Sequence, residues 1–172
     1  FEGIYTPVIT PFHDDGTVDE AGFAQVIEFL IDSGVHGIVV AGTTGEYYAQ
    51  TTAERISLMQ VAHQTINGRV PMMVGVGAIR TEDAIELAQT ARQTGADALL
   101  VNSPPYVLPT ENENAAHALA IDQAADLPIM LYNYPGRTGV GMGEDYLRQV
   151  STSKNFCAIK ESSGDINRLH LL

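Results

Sequence analysis

Apolar and β-branched residues gather in six short runs, at 4–9, 37–41, 71–76, 98–101, 128–132 and 156–159. The runs are continuous and do not alternate with polar positions, the pattern of parallel strands buried on both faces. Helical spacing fills the intervals. Positions 19–33 carry Phe23, Val26, Ile27, Leu30 and Ile31 on one stripe, with Gly34 placed as a C-cap. Positions 52–66 set Ile56, Met59 and Ala62 on one face. Positions 81–94 open with Thr81-Glu82-Asp83, an N-cap followed by acids that suit the helix dipole, and stop at Gly95. Helices at 110–125 and 143–150 complete the series, and another opens within 167–172.

Strand, loop and helix therefore repeat with a period of about 30 residues, and "SGVHGIVVAG" at 33–42 is echoed by "TGADALLVNS" at 94–103. Alternating βα units predict an α/β fold with a parallel sheet, doubly wound or closed as a (β/α)8 TIM barrel. No linker interrupts the chain, so residues 1–172 read as a single domain. About six of the eight units of a barrel are visible, and a barrel so cut leaves two unpaired parallel edges. The expectation is a C-terminally incomplete barrel, with a complete six-strand doubly wound sheet as the alternative.

Composition narrows the partners. The chain is 45% apolar and 17% charged, a globular profile, and has no stretch apolar enough for a membrane helix. A net charge of −12 repels a phosphate backbone, so nucleic acid is not expected as a partner. Cys157 is the single cysteine, which fits a reducing compartment and predicts the cytoplasm. His13, His36, His63, His117 and His170 are scattered singly, without the spacing of a metal site.

Ligands of parallel α/β folds sit beyond the carboxyl ends of the strands. After the second run comes Gly42-Thr43-Thr44-Gly45-Glu46, whose glycines and N–H groups can hold a carboxylate or phosphate. A tight turn with a threonine cap explains that loop equally well. The third run ends Gly75-Val76-Gly77, a packing pair and not a dinucleotide fingerprint. The fourth leads into Asn102-Ser103-Pro104-Pro105-Tyr106, where the prolines stiffen the exit and aim Tyr106 away from the barrel wall. The fifth ends at Tyr132 and runs into a Gly/Pro-shaped loop bearing Arg137, a planar fork that matches a carboxylate. Taken loop by loop, a structural tyrosine and a surface arginine fit as well.

Lysine is scarce: Lys154 and Lys160 are the only two among nine basic residues. Lys160 ends the apolar run 156–159, where desolvation favours the neutral amine that attacks a carbonyl carbon to form a Schiff base. A lysine that snorkels to the rim or pairs with Glu161 fits the periodicity too.

Four stretches occur in order: "YTPVITPF" at 5–12, "GTTGE" at 42–46, "YNYPGRTG" at 132–139 and "IKESSGD" at 159–165. Together they resemble the dihydrodipicolinate synthase / N-acetylneuraminate lyase family of class I aldolase-type lyases, across essentially the whole chain. The resemblance implies a (β/α)8 barrel, commonly assembled as a dimer of dimers. It implies Lys160 as the lysine that captures the keto carbon of pyruvate, with Tyr132 as a proton-relay tyrosine. Thr43 would link Tyr132 to a second tyrosine, Tyr106, which in the synthases reaches a neighbouring subunit. Gly42, Thr43 and Thr44 fall in the loop that binds the pyruvate carboxylate, and Arg137 matches the arginine that holds the carboxylate of aspartate semialdehyde.

Two departures bear on the second substrate. Tyr47-Tyr48 stand where the synthases often have a serine, and Pro105-Tyr106-Val107 where two tyrosines are common. The "ESSGD" tail also suits aldolases and dehydratases of sugar acids. The expected activity is condensation of pyruvate with aspartate semialdehyde, the alternative a 2-keto-3-deoxy sugar acid aldolase or dehydratase. A barrel that binds a keto acid without turning it over is the third reading. No cofactor or metal is expected, because the imine itself is the electron sink.

Overall fold

The computed structural model describes residues 1–170. Six parallel strands form one sheet: β1 (Tyr5–Pro7), β2 (Gly37–Val40), β3 (Met72–Gly75), β4 (Ala98–Asn102), β5 (Ile129–Asn133) and β6 (Phe156–Glu161). Their order in the sheet is their order in the chain. A doubly wound sheet reverses its strand order at a switch point. The sequential order is instead that of a barrel wall, and the six units are consecutive units of a (β/α)8 barrel. The connections are α1 (Glu20–Asp32), α2 (Thr52–Ile66), α3 (Thr81–Thr94) and α4 (Glu111–Ala125), then the single turn α5 (Pro135–Thr138) and α6 (Glu144–Val150).

The inner strands β2 to β5 have two buried faces, which is why their apolar residues run on without alternation. Ile38, Val40, Val74, Leu99 and Leu131 pack outward into a core shared with Phe23 of α1, Leu58 of α2 and Leu87 of α3. The alternate residues, Val39, Met73, Ala98, Leu100 and Tyr132, pack together on the inner face. Lys160 has the same parity along β6 as its register partner Tyr132 has along β5.

Local chemistry starts and stops the helices. Thr51 with Glu54 and Thr110 with Glu113 form reciprocal capping boxes, each cap contributing about 1 kcal/mol. Asp19 accepts from the Gly22 N–H at the start of α1. Thr81 is not the cap of α3. That position belongs to Arg80, and the Thr81 hydroxyl instead shares a 2.9 Å hydrogen bond with His117 Nδ1 on α4.

Several elements differ from the sequence expectation. β1 and β6 are only half-buried, with Ile4 and Ile9 exposed, because each pairs on one side only. β4, β5 and β6 extend to Asn102, Asn133 and Glu161. The ladder is made by backbone groups, so polar side chains at a strand end do not stop it. On α2, Arg55, Leu58, Met59, Ala62 and Ile66 form the buried face, and Ile56 is half-buried. Leu171 and Leu172, where the last helix was expected to continue, lie outside the described residues.

Candidate active site

The loop after β2 is held from below. Thr43–Gly45 form a 3-10 turn closed by bonds from Gly45 N to Gly42 O (3.0 Å) and from Glu46 N to Thr43 O (3.1 Å). The Gly45 carbonyl accepts from Thr10 Oγ1 at 2.7 Å and Gln50 Nε2 at 2.6 Å. A Cβ at Gly45 would lie 2.8 Å from the Val8 carbonyl, so the loop sits directly on the chain leaving β1. The first N–H groups of such a turn have no partner inside it. Thr43, which carries one of them, is half-buried, and Thr44 is exposed.

Above the carboxyl ends of the strands lies a cavity of about 600 Å³. Thr43, Tyr132 and Arg137, all expected site residues, line it together with Tyr47, Asn102 and Tyr134. Asn102, Tyr132 and Lys160 are register partners on β4, β5 and β6 and make one row across the strand ends. Lys160 is not among the lining residues, but its Nζ sits 4.1 Å from the centroid of the Tyr132 ring.

Lys160 is half-buried, less desolvated than its apolar approach run suggested. It does not pair with Glu161, whose carboxylate is bonded to Asn133, Ser163 and Arg168. Burial works to raise the Glu161 pKa, but these hydrogen bonds outweigh it and hold the carboxyl at about 2.

The cavity walls are aromatic and cationic. The Arg137 guanidinium lies 5.6 Å from the Tyr134 ring centroid, and the neighbouring Tyr134 hydroxyl pushes its pKa up. The Tyr47 hydroxyl accepts a long hydrogen bond from Asn102 Nδ2 at 3.4 Å. Burial raises the Tyr47 pKa against that bond. Behind Tyr47, Arg55 lies 5.1 Å from the ring centroid and donates to the carbonyls of Gly77 (2.9 Å) and Gly75 (2.8 Å). Its burial lowers its pKa to about 10 and leaves it cationic at neutral pH.

Tyr106 is not brought into this cavity. It is 88% exposed with a left-handed backbone (φ 76°), and its neighbour Pro105 lines the wall instead. Thr44 and Gly42 are also outside the lining, Gly42 being buried under the loop. Sequence reasoning missed Arg55, Asn133, Tyr134 and Arg168. Arg55 had a usable signal, since it stands three and four residues before Leu58 and Met59 on the buried stripe. Arg168 had none, because its partner is set by tertiary structure.

Fold and site together define a (β/α) barrel with a lysine and a tyrosine paired at its carboxyl-end mouth, beside the 3-10 turn Thr43–Gly45. The model of the dihydrodipicolinate synthetase family matches residues 1–172, and the chain belongs to that family. The 4-hydroxy-tetrahydrodipicolinate synthase of Protochlamydia amoebophila (strain UWE25) is 41% identical over 168 residues, 98% of this chain and 56% of that protein. The structure of dihydrodipicolinate synthase from Aquifex aeolicus superposes with a TM-score of 0.94 at 35% identity, covering 98% of this chain and 58% of that one. YagE from E. coli K12, a prophage protein of the dihydrodipicolinic acid synthase family solved in complex with pyruvate, gives a TM-score of 0.93 at 32% identity, covering 98% of this chain and 57% of that one. The chain thus spans between 56% and 58% of the length of these relatives.

Proposed function

We propose that this chain carries the imine-forming site of a pyruvate-dependent class I lyase that condenses pyruvate with aspartate semialdehyde. The observation that carries the reading is the pairing of Lys160 with Tyr132 at the strand ends, Nζ 4.1 Å from the ring centroid. Lys160 attacks the keto carbon, Tyr132 relays protons, and the loop at Thr43 and Thr44 holds the pyruvate carboxylate. Arg137, an exposed cationic fork at the cavity wall, receives the carboxylate of the second substrate. The pyruvate bound in YagE supports a keto acid as first substrate.

A second reading, an aldolase or dehydratase of 2-keto-3-deoxy sugar acids, is favoured by one feature. The Tyr47 hydroxyl and the Asn102 amide in the cavity wall can hydrogen-bond sugar hydroxyls. Pyruvate consumption by the intact protein separates the two. Faster loss with aspartate semialdehyde than with sugar aldehydes supports the first reading, and the reverse order replaces it with the second. The exposed Tyr106 fits a homo-oligomer in which it meets a neighbouring subunit. The single cysteine fits the cytoplasm as location. The part of a barrel beyond these six units would complete the domain.

A further inference from the structure

Immediately after Lys160 in the chain stands a carboxylate held by an unusual number of partners. Glu161 Oε1 accepts from the Asn133 side-chain amide at 3.0 Å and from the Ser163 N–H at 2.7 Å. Its Oε2 accepts from the same amide at 2.8 Å and from Arg168 Nε at 2.8 Å. The network closes on itself, because Arg168 Nη2 donates to the Met142 carbonyl (2.7 Å) and the Met142 N–H donates to Asn133 Oδ1 (3.0 Å). It therefore ties β5, β6, the approach to α6 and the turn Ile166–His170 into one unit.

Asn133 and Glu161 are register partners, one step beyond the pair Tyr132 and Lys160. Successive strand residues face opposite sides. The network thus grips β6 from the helix side at the position next to the amine, and leaves Lys160 on the side of Tyr132.

We propose that Glu161, clamped by Asn133 and Arg168, is a positioning residue for Lys160, fixing the end of β6 and keeping the adjacent carboxylate away from the amine. The inference rests on the imine reading above. In that step the lone pair of Nζ forms a C–N bond to the keto carbon of pyruvate. The keto oxygen leaves as water with the two hydrogens of the neutral amine. A lysine has a long flexible stem, and a reacting group misplaced by about 1 Å can cost about 100-fold in rate. A free carboxylate beside it would also compete with the keto carbon for the amine. The clamp removes both losses without touching the substrate.

The test is the rate of imine formation, read by quenching the intact protein with borohydride at timed intervals after adding pyruvate and weighing the reduced adduct. Borohydride delivers hydride to the imine carbon and fixes it as a secondary amine. Glu161→Gln puts an amide against the Asn133 amide and Arg168, and Arg168→Gln removes one of the four bonds while sparing the strand itself. Both variants are expected to form the imine about ten-fold more slowly or worse at saturating pyruvate, with the half-saturating pyruvate concentration within about two-fold of wild type. Arg168→Lys should recover part of the rate. Arg148→Gln, in an exposed ion pair with Asp145 on α6, should change nothing. If Glu161→Gln fails to fold, Arg168→Gln decides alone. Folded variants that trap pyruvate at the wild-type rate overturn the proposal. So does a loss in which the half-saturating concentration rises in parallel, the mark of a generally disturbed site. A wild-type protein that forms no adduct overturns the imine reading and this inference together, whereas a loss confined to the variants leaves the imine reading intact.

Discussion

Tyr132 and Lys160 are direct register partners on β5 and β6, with the lysine Nζ 4.1 Å from the tyrosine ring centroid. Their separation is set by the backbone ladder, since neighbouring strands lie about 4.8 Å apart. The contact is with the ring face, and in the proposed step the amine leaves that face to reach the keto carbon.

The tyrosine hydroxyl is therefore separable from the ring. Tyr132→Phe keeps the surface against which Lys160 packs and removes only the group able to shuttle a proton. Turnover should fall by about 10²–10⁴-fold, the usual contribution of a positioned acid or base, with the melting temperature nearly unchanged. Steady-state rates within about two-fold of wild type would remove Tyr132 from the proton path.

Arg137 should act on one substrate only. Its guanidinium stands over Tyr134 at the cavity wall, on the loop after β5 and not in the register row formed by Asn102, Tyr132 and Lys160. Arg137→Ala is expected to raise the KM for the second, acid-bearing substrate by about ten-fold or more while leaving borohydride trapping of pyruvate unchanged. Impaired trapping would assign the arginine to the pyruvate carboxylate instead.

His117 gives the fold a defined acid sensitivity. It lies buried between α3 and α4, with Nδ1 bonded to the Thr81 hydroxyl and Nε2 without a partner among the described residues. Burial lowers its pKa from 6.5 to about 4. Between those values the unfolded chain takes up a proton that the folded one refuses, so stability falls with pH across that window and no further below it. The loss is about 3 kcal/mol. Urea titrations at pH 7 and pH 4 should find His117→Gln less stable at pH 7 but with a shallower decline. Glu161 works in a lower window, from 4.5 to about 2, where protonation dissolves its hydrogen bonds. An equal decline in wild type and His117→Gln would refute the assignment.

Two glycines near the site should respond oppositely to a methyl group. A Cβ at Gly75 would overlap the carbonyl of Ala41, which already holds a strained left-handed backbone (φ 53°) and cannot yield. At Gly42 the nearest atoms are ordinary neighbours, Val39 Cγ1 at 3.7 Å and Pro7 Cβ at 3.9 Å. Gly75→Ala should cost about 1–3 kcal/mol or more in urea unfolding. Gly42→Ala should stay within about 0.5 kcal/mol of wild type. The motif glycine is then the dispensable one for stability.

Much of this molecule is legible in its sequence because the signals are local. The double burial of the inner strands writes itself as unbroken apolar runs such as Gly37–Val40, and Gly95 marks the end of α3 as its left-handed cap. The carboxyl ends of β4 to β6 were harder, since Asn102, Asn133 and Glu161 look like loop residues until the ladder includes them. Thr81 misled because a helix-starting threonine reads as a cap, whereas a histidine from the next helix took its hydroxyl. Lys160 was singled out by rarity and place, yet its real neighbours, the Tyr132 ring and the clamped Glu161, depend on register that no local pattern encodes.

The most direct measurement is to incubate the intact protein with pyruvate and borohydride and map the adduct by peptide mass spectrometry. A reduced pyruvyl group on Lys160, absent from Lys160→Ala, is the predicted result. A folded protein that binds pyruvate tightly and yields no adduct, or an adduct on Lys154 alone, would contradict the account.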